Sequence, residues 1–223
     1  MTEITFKDLA LSPAILKAIE EIGYVKPSPI QAEAIPVVLS GKDIIGQAQT
    51  GTGKTAAFML PILEKIDPKN RNVQALVLCP TRELAVQVHE ESKKFARNMR
   101  DVHILSIYGG QSYDPQIRAL KKGVQIVVGT PGRVMDHMRR GTLKLENLKM
   151  LVLDEADEML NMGFKDDIEE ILEKTPESRQ TVMFSATMAR EIMNIAKTYQ
   201  KSPEIVKVVS EELSNKKIDQ YFV

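Results

Sequence analysis

Asp154-Glu155-Ala156-Asp157 places three carboxylates in four positions, directly after the apolar run Met150-Leu151-Val152-Leu153. A run so short and β-prone reads as a buried strand. The acids then sit at its carboxyl end, where open parallel sheets gather their ligands. Roughly a hundred residues upstream lies Ala48-Gln49-Thr50-Gly51-Thr52-Gly53-Lys54-Thr55, preceded by Ile44-Ile45-Gly46 and followed by Ala56-Ala57-Phe58-Met59-Leu60. That is strand, glycine-containing loop, helix, a geometry that aims backbone N–H groups and a helix amino terminus at an anion. Lys54 is placed to neutralise β and γ phosphates, and the Thr55 hydroxyl to ligate Mg²⁺. Ala48 replaces the glycine that opens the generic pattern, and its small side chain still permits a tight turn. Asp154 suits Mg²⁺ held largely through water, because magnesium keeps much of its hydration shell. Glu155 suits accepting a proton from the attacking water or orienting it. Asp157, one helical step on, suits an internal salt bridge or hydrogen bond. One element takes phosphates and the other a cation and a water, which together imply nucleoside triphosphate hydrolysis.

The elements that must position these groups alternate. Strand candidates are Ile44-Ile45, Ala75 to Cys79, His103 to Ile107, Val124 to Val128, Met150 to Leu153, Thr181 to Phe184 and Ile205 to Val208. Glu83 to Met99, Pro131 to Arg139, Asp166 to Glu173 and Arg190 to Tyr199 carry apolar residues at helical spacing. Alternating strand and helix predicts an α/β fold, a mostly parallel twisted sheet covered on both faces. A two-helix prelude precedes it. Ser12-Pro13 and Ser28-Pro29 each read as a capping hydroxyl with proline at the first helical position. Gly23 stops the first helix, and the second runs to about Leu39. Ser210 to Lys217 reads as a connector, and Ile218 to Val223 alternates like the start of a new strand.

The chain of 223 residues suits one large domain with an ample core. Hydrophobic residues make up 43% and charged residues 27%, ordinary for a globular protein. There is no apolar run of the about 18 residues a membrane span needs, and no secretory signal pattern. The single cysteine, Cys79, ends an apolar run and reads as a buried core thiol, so a cytoplasmic location is expected. Thirty basic and thirty acidic residues balance. Bulk charge therefore does not hold this chain to nucleic acid, and any grip must come from a few placed groups. Lys93-Lys94, Lys121-Lys122 and Arg139-Arg140 read as solvated helix faces, and the eleven methionines as filler.

The acidic tetrad, the phosphate loop and several further motifs resemble, in order and spacing, the first RecA-like domain of DEAD-box RNA helicases. The resemblance runs from Phe6 to about Val209. It implies an adenine-reading prelude over residues 1–32, a RecA-like ATP-binding domain over 33–209, and a connector over 210–223 leading to a second RecA-like domain. Gly23-Tyr24-Val25-Lys26-Pro27-Ser28-Pro29-Ile30-Gln31 matches the adenine-reading element, with Ser28 where threonine is usual. Gln31 is then expected to bond the adenine edge, since an amide offers donor and acceptor together. Phe6 is expected to stack on the base, with Tyr24 and Lys26 completing the site. Pro80-Thr81-Arg82, Gly109-Gly110 and Thr130-Pro131-Gly132-Arg133 resemble the RNA-contacting motifs. Such groups read backbone phosphates, not base sequence. Ser185-Ala186-Thr187 resembles the element linking hydrolysis to strand separation, and implies the Ser185 and Thr187 hydroxyls near Asp157. Thr187 also reads as the cap of a helix from Met188 to Tyr199.

The family's second domain supplies arginines that reach the γ-phosphate, worth about 10³ to 10⁵ in rate, and no such motif occurs here. The chain alone is therefore expected to bind ATP but hydrolyse it slowly and not unwind a duplex. An ATP-gated RNA clamp without turnover carries the same motifs, though intact Lys54, Glu155, Ser185 and Thr187 argue against a dead enzyme. A DNA helicase of a related branch is disfavoured by the tetrad's terminal aspartate and by the prelude.

Overall fold

The computed structural model of the protein describes residues 4–49 and 51–208. Thr50 and the segment from residue 209 onward, including the expected connector and new strand, lie outside the described residues. A short 3₁₀ turn (Phe6–Leu9) leads into α1 (Pro13–Glu21) and α2 (Pro29–Leu39). Both helices begin where the serine–proline pairs predict, and Gly23 takes the left-handed conformation (φ 84°) after α1. Then come β1 (Ile44–Gln47), α3 (Lys54–Lys65), β2 (Ala75–Leu78), α4 (Arg82–Phe95), β3 (Ile104–Ile107), α5 (Tyr113–Lys122), β4 (Ile126–Gly129) and α6 (Pro131–Arg139). The chain continues through β5 (Met150–Leu153), α7 (Ala156–Asn161), α8 (Lys165–Glu173), β6 (Gln180–Ser185), α9 (Arg190–Tyr199) and β7 (Glu204–Lys207).

The seven strands form one sheet in the order β3-β4-β2-β5-β6-β1-β7, and every pairing is parallel. Successive strand residues point to opposite faces, so one buried run feeds two cores. Ile44, Ala75, Val77, Val152, Val182 and Phe184 join a cluster with Ile15, Ile30, Phe58, Val88 and Phe95 of α1 to α4. Ile45, Leu76, Leu78, Leu151, Leu153 and Met183 join another with Val134, Met159, Ile171 and Ile195 of α6 to α9. Burial on both faces is why these strands read as continuous apolar runs.

The sheet differs from the sequence expectation in details. It is wholly parallel where it is described. α5 is an additional helix: only Gln116 of its residues is buried, while Tyr113, Ile117 and Leu120 recur half-buried at helical spacing and Leu120 packs against the second core. α4 ends at Phe95 rather than Met99. α9 begins at Arg190 with Ala189 as its cap, so Thr187 caps no helix. Arg139 is not merely solvated, since its guanidinium pairs with Glu170 on α8 at 2.8 Å.

Candidate active site

All the singled-out motifs fall on one rim, because parallel strands place every strand-to-helix turn on the same side. β1 delivers the phosphate loop, β2 delivers Pro80 to Arg82, and β3 delivers Gly109-Gly110. β4 delivers Thr130 to Arg133, β5 the acidic tetrad, and β6 Ser185 to Thr187. Within the described part of the loop, Gly51 (φ 82°) and Gly53 (φ 89°) are left-handed. That conformation suits glycine and turns the chain into α3. Ala48 N–H donates to Ser185 O (3.1 Å), which fixes the loop's first residue to the neighbouring strand end.

Lys54 opens α3, is 7% exposed, and lies 3.7 Å from both Asp154 Oδ1 and Glu155 Oε1. Asp154 is buried, and its Oδ1 has no hydrogen-bond partner. Burial raises the Asp154 carboxyl to about 6, opposed by the Lys54 charge and reinforced by Glu155. Glu155 has φ 53° and ψ 53°, a left-handed conformation that is strained for a residue with a Cβ. Such strain concentrates where geometry serves chemistry. Cys79 follows β2 alongside the end of β5, and burial, then Asp154 and Glu155, push its thiol well up, so it stays protonated.

The prelude clasps the loop from above. Gln31 is 3% exposed; its Oε1 accepts Ser28 N–H (2.9 Å) and its Nε2 donates to Gly53 O (3.0 Å). The Ser28 hydroxyl donates to Thr52 O (2.8 Å). The amide expected at an adenine edge thus holds the phosphate loop. Phe6 is 5% exposed and packed in the core, its ring 6.1 Å from that of Tyr24. Tyr24 donates to Glu91 (3.1 Å), and burial followed by Glu91 pushes its phenol up to about 12. Lys26 sits on the exposed turn before Ser28.

Asp157 meets the β6 turn through the backbone. Its Oδ2 accepts Thr187 N–H at 2.9 Å. The Ser185 hydroxyl is buried without a partner, so the expected contact of both hydroxyls with Asp157 is replaced by an amide contact. Side-chain identity gives no warning of a backbone donor.

The three remaining motifs share a network that sequence reasoning missed. Arg82 lies over the Tyr108 ring (5.0 Å), and the Thr81 hydroxyl caps α4 by accepting Leu84 N–H (3.2 Å). Gly109 and Gly110 are exposed. Thr130 and the buried Pro131 start α6, and Gly132 follows. Arg133 lies over the Tyr113 ring (4.1 Å), with Arg140 at the same distance. Its Nη1 donates to Gln111 O (3.0 Å) and to Gln116 Oε1 (3.2 Å). Gln116 Oε1 also accepts from Nε2 of the fully buried His137 (2.8 Å), whose Nδ1 meets the Thr142 hydroxyl (2.8 Å). Burial, then Arg133 and Arg140, lower the His137 pKa and keep it neutral. The available signal was His137 one turn after Arg133 on a helix, a spacing that puts both on one face.

A family model described as DEAD/DEAH box helicase matches residues 28–195. The ATP-dependent RNA helicase DeaD of Klebsiella pneumoniae is 55% identical over 220 residues, covering 99% of this chain and 34% of the relative. The DEAD-box ATP-dependent RNA helicase CshA of Geobacillus kaustophilus is 56% identical over 219 residues, 98% of this chain and 47% of the relative. The crystal structure of a DEAD box protein from the hyperthermophile Methanococcus jannaschii superposes with a TM-score of 0.89 at 47% identity, covering 92% of this chain and 56% of that one. The chain spans about a third to a half of the length of the curated relatives it matches.

Proposed function

The chain belongs to the DEAD/DEAH box helicase family, and from that membership we propose that it is the nucleotide-binding half of an ATP-dependent RNA helicase. The observation that carries this is the convergence of Lys54, Asp154 and Glu155 within 3.7 Å at the mouth of a phosphate loop. In this reading residues 48–55 cradle the ATP phosphates, with Lys54 moving from the two carboxylates to the β and γ phosphates. That exchange is reasonable because a buried lysine between two acids is already positioned to neutralise developing negative charge. Glu155 then takes a proton from the attacking water, or orients it.

The residues fit magnesium. Asp154 Oδ1 is a buried carboxylate oxygen without a hydrogen-bond partner, and no group of three or more His, Cys, Asp or Glu residues among those described could form an all-protein cage. Asp154 and Thr55 would hold the ion, with phosphate and water completing its shell. Bound there, magnesium supplies charge neutralisation on the phosphates. Gln31, Tyr24, Lys26 and Phe6 are assigned to the adenine side. Gln31 keeps a second amide hydrogen and a second lone pair beyond its two protein bonds, enough to face a base edge.

We assign Thr81, Arg82, Gly109, Gly110, Thr130, Pro131, Gly132 and Arg133 to the RNA backbone. Support comes from their common rim and from the guanidiniums of Arg82 and Arg133 lying over the rings of Tyr108 and Tyr113. Asp157, with Ser185 and Thr187, links that rim to the nucleotide. Arginines from a carboxyl-terminal RecA-like domain beyond this chain complete the site, in keeping with the length of the relatives. A buried, protonated Cys79 suits the cytoplasm, and no helix among the described residues is long and apolar enough to cross a membrane.

Nucleotide binding tests the reading. ADP is expected to bind the chain about tenfold or more tightly than GDP, the scale of a charge-free edge hydrogen bond left unpaired. Lys54→Ala is expected to abolish both. Equal affinity for ADP and GDP would remove the adenine-reading role, and unimpaired binding by Lys54→Ala would remove the phosphate loop from the account.

A further inference from the structure

Opposite the candidate active site, at the amino-terminal ends of the strands, lies a cavity of about 320 Å³. Ala75, Met150 and Gln180, the first residues of β2, β5 and β6, line it. Its charged lining has one sign: Lys65, Lys149, Arg179 and Lys201, with no carboxylate. The chain as a whole is neutral, so this is local segregation of charge. None of the four takes part in an ion pair among the described residues.

The partners these cations do have are neutral. Arg179 is 7% exposed; its Nη1 donates to Thr175 O (3.4 Å) and Pro176 O (3.1 Å), and its buried Nε has no partner. Lys65 donates to Val38 O (2.7 Å) and Gln180 Oε1 (3.0 Å), and Lys201 to Glu177 O (2.7 Å). Burial lowers the pKa of both Lys65 and Arg179, as expected for cations drawn out of water without a counter-ion. Asp43 and Glu177 act on Arg179 through space. Both Asp43 oxygens are already engaged, accepting the N–H groups of Thr181 and Lys201 at 2.7 Å each.

A guanidinium beside several ammonium groups is the donor set that phosphate oxygens take, and a partly enclosed site strengthens each such bond. The volume lies at the small end of ligand pockets. We propose that this cavity is a second ligand site, separate from the phosphate loop, for a small phosphate-bearing anion of the diphosphate or mononucleotide class. The ligand would sit one strand length, roughly 13 Å, from the acids that end β5.

Pyrophosphate is the probe, and the Lys54→Ala chain is the background, so that the phosphate loop does not report. If that loop binds no phosphate, the substitution is silent and the second site still reads. The expected result is saturable pyrophosphate binding, with amide chemical-shift changes at residues 65, 149, 178–180 and 201. Lys149→Glu combined with Lys201→Glu, both on exposed side chains, is expected to weaken it about tenfold or more, the scale of one charge-assisted hydrogen bond. The same charge change at Lys17 and Lys93 is expected to leave it unchanged. Absence of binding, shifts confined to residues 46–55, or equal loss in the control variant would overturn the proposal. So would displacement of pyrophosphate from these residues by single-stranded RNA, which would make the cavity part of an RNA surface.

Discussion

Gly46 is the residue where fold and site meet most tightly, and replacing it with alanine has a calculable cost. A Cβ built there falls 2.4 Å from Cε1 and 2.5 Å from Cδ1 of Phe184, against the 3.4–4 Å of ordinary contact. Neither side has room to yield. Phe184 is fully buried, its ring 5.9 Å from that of Phe58, and β1 is paired on both edges, with Gly46 opposite Phe184 and Val206. Overpacking of this kind costs about 1–3 kcal/mol, and each kcal/mol lowers Tm by about 2–4 °C in a chain of this size. Urea denaturation followed by circular dichroism measures the loss. Phe184→Leu alone opens a small cavity and is expected to cost about 1 kcal/mol. Because it also removes the offending ring edge, the double variant is expected to be more stable than the sum of the two by about 1 kcal/mol or more. β1 leads directly into the phosphate loop, so ADP affinity should fall in Gly46→Ala and recover in the double variant. A neutral Gly46→Ala, or strictly additive costs, would refute the steric reasoning.

Two further perturbations follow from named contacts. Gln31→Ala removes both bonds of the clasp and leaves the Ser28 N–H and Gly53 O without their partner; stability should drop by about 1–2 kcal/mol and ADP affinity with it, whereas a stability loss with unchanged ADP affinity would make the clasp purely structural. His137 is held neutral, its folded pKa below the unfolded value, so the unfolded chain binds the extra proton as pH falls through about 6.5; stability should decline below that pH in urea melts, and His137→Gln should flatten that part of the profile, a flat wild-type profile being the contrary result.

The fold was legible because parallel strands buried on both faces are written as continuous apolar runs. Met150 to Leu153 and Thr181 to Phe184 stood out for that reason, and both proved central in the sheet. Serine–proline pairs marked α1 and α2 to the residue. α5 was passed over although Tyr113, Ile117 and Leu120 recur at helical spacing, because that stripe is short and each of the three is only half-buried, Gln116 being the one buried residue of the helix. In the candidate site, the residues proposed to meet phosphate and water were singled out from type and order alone. The supports were not. Gln31 gripping Gly53, the Thr187 amide on Asp157, and the path Arg133–Gln116–His137 depend on backbone groups and on approaches between distant segments. Neither residue type nor local spacing encodes such approaches.

The central claim is that Glu155, placed beside Lys54 at the end of β5, serves the water in an RNA-coupled ATP hydrolysis. The direct measurement is ATP turnover by the full-length protein, with and without RNA, in the wild type and in Glu155→Gln. RNA should stimulate the wild type, and the variant should retain ATP binding while losing turnover by about 10²–10⁴-fold, the range for a lost general base. Undiminished turnover in Glu155→Gln, or equal stimulation by DNA, would contradict the account.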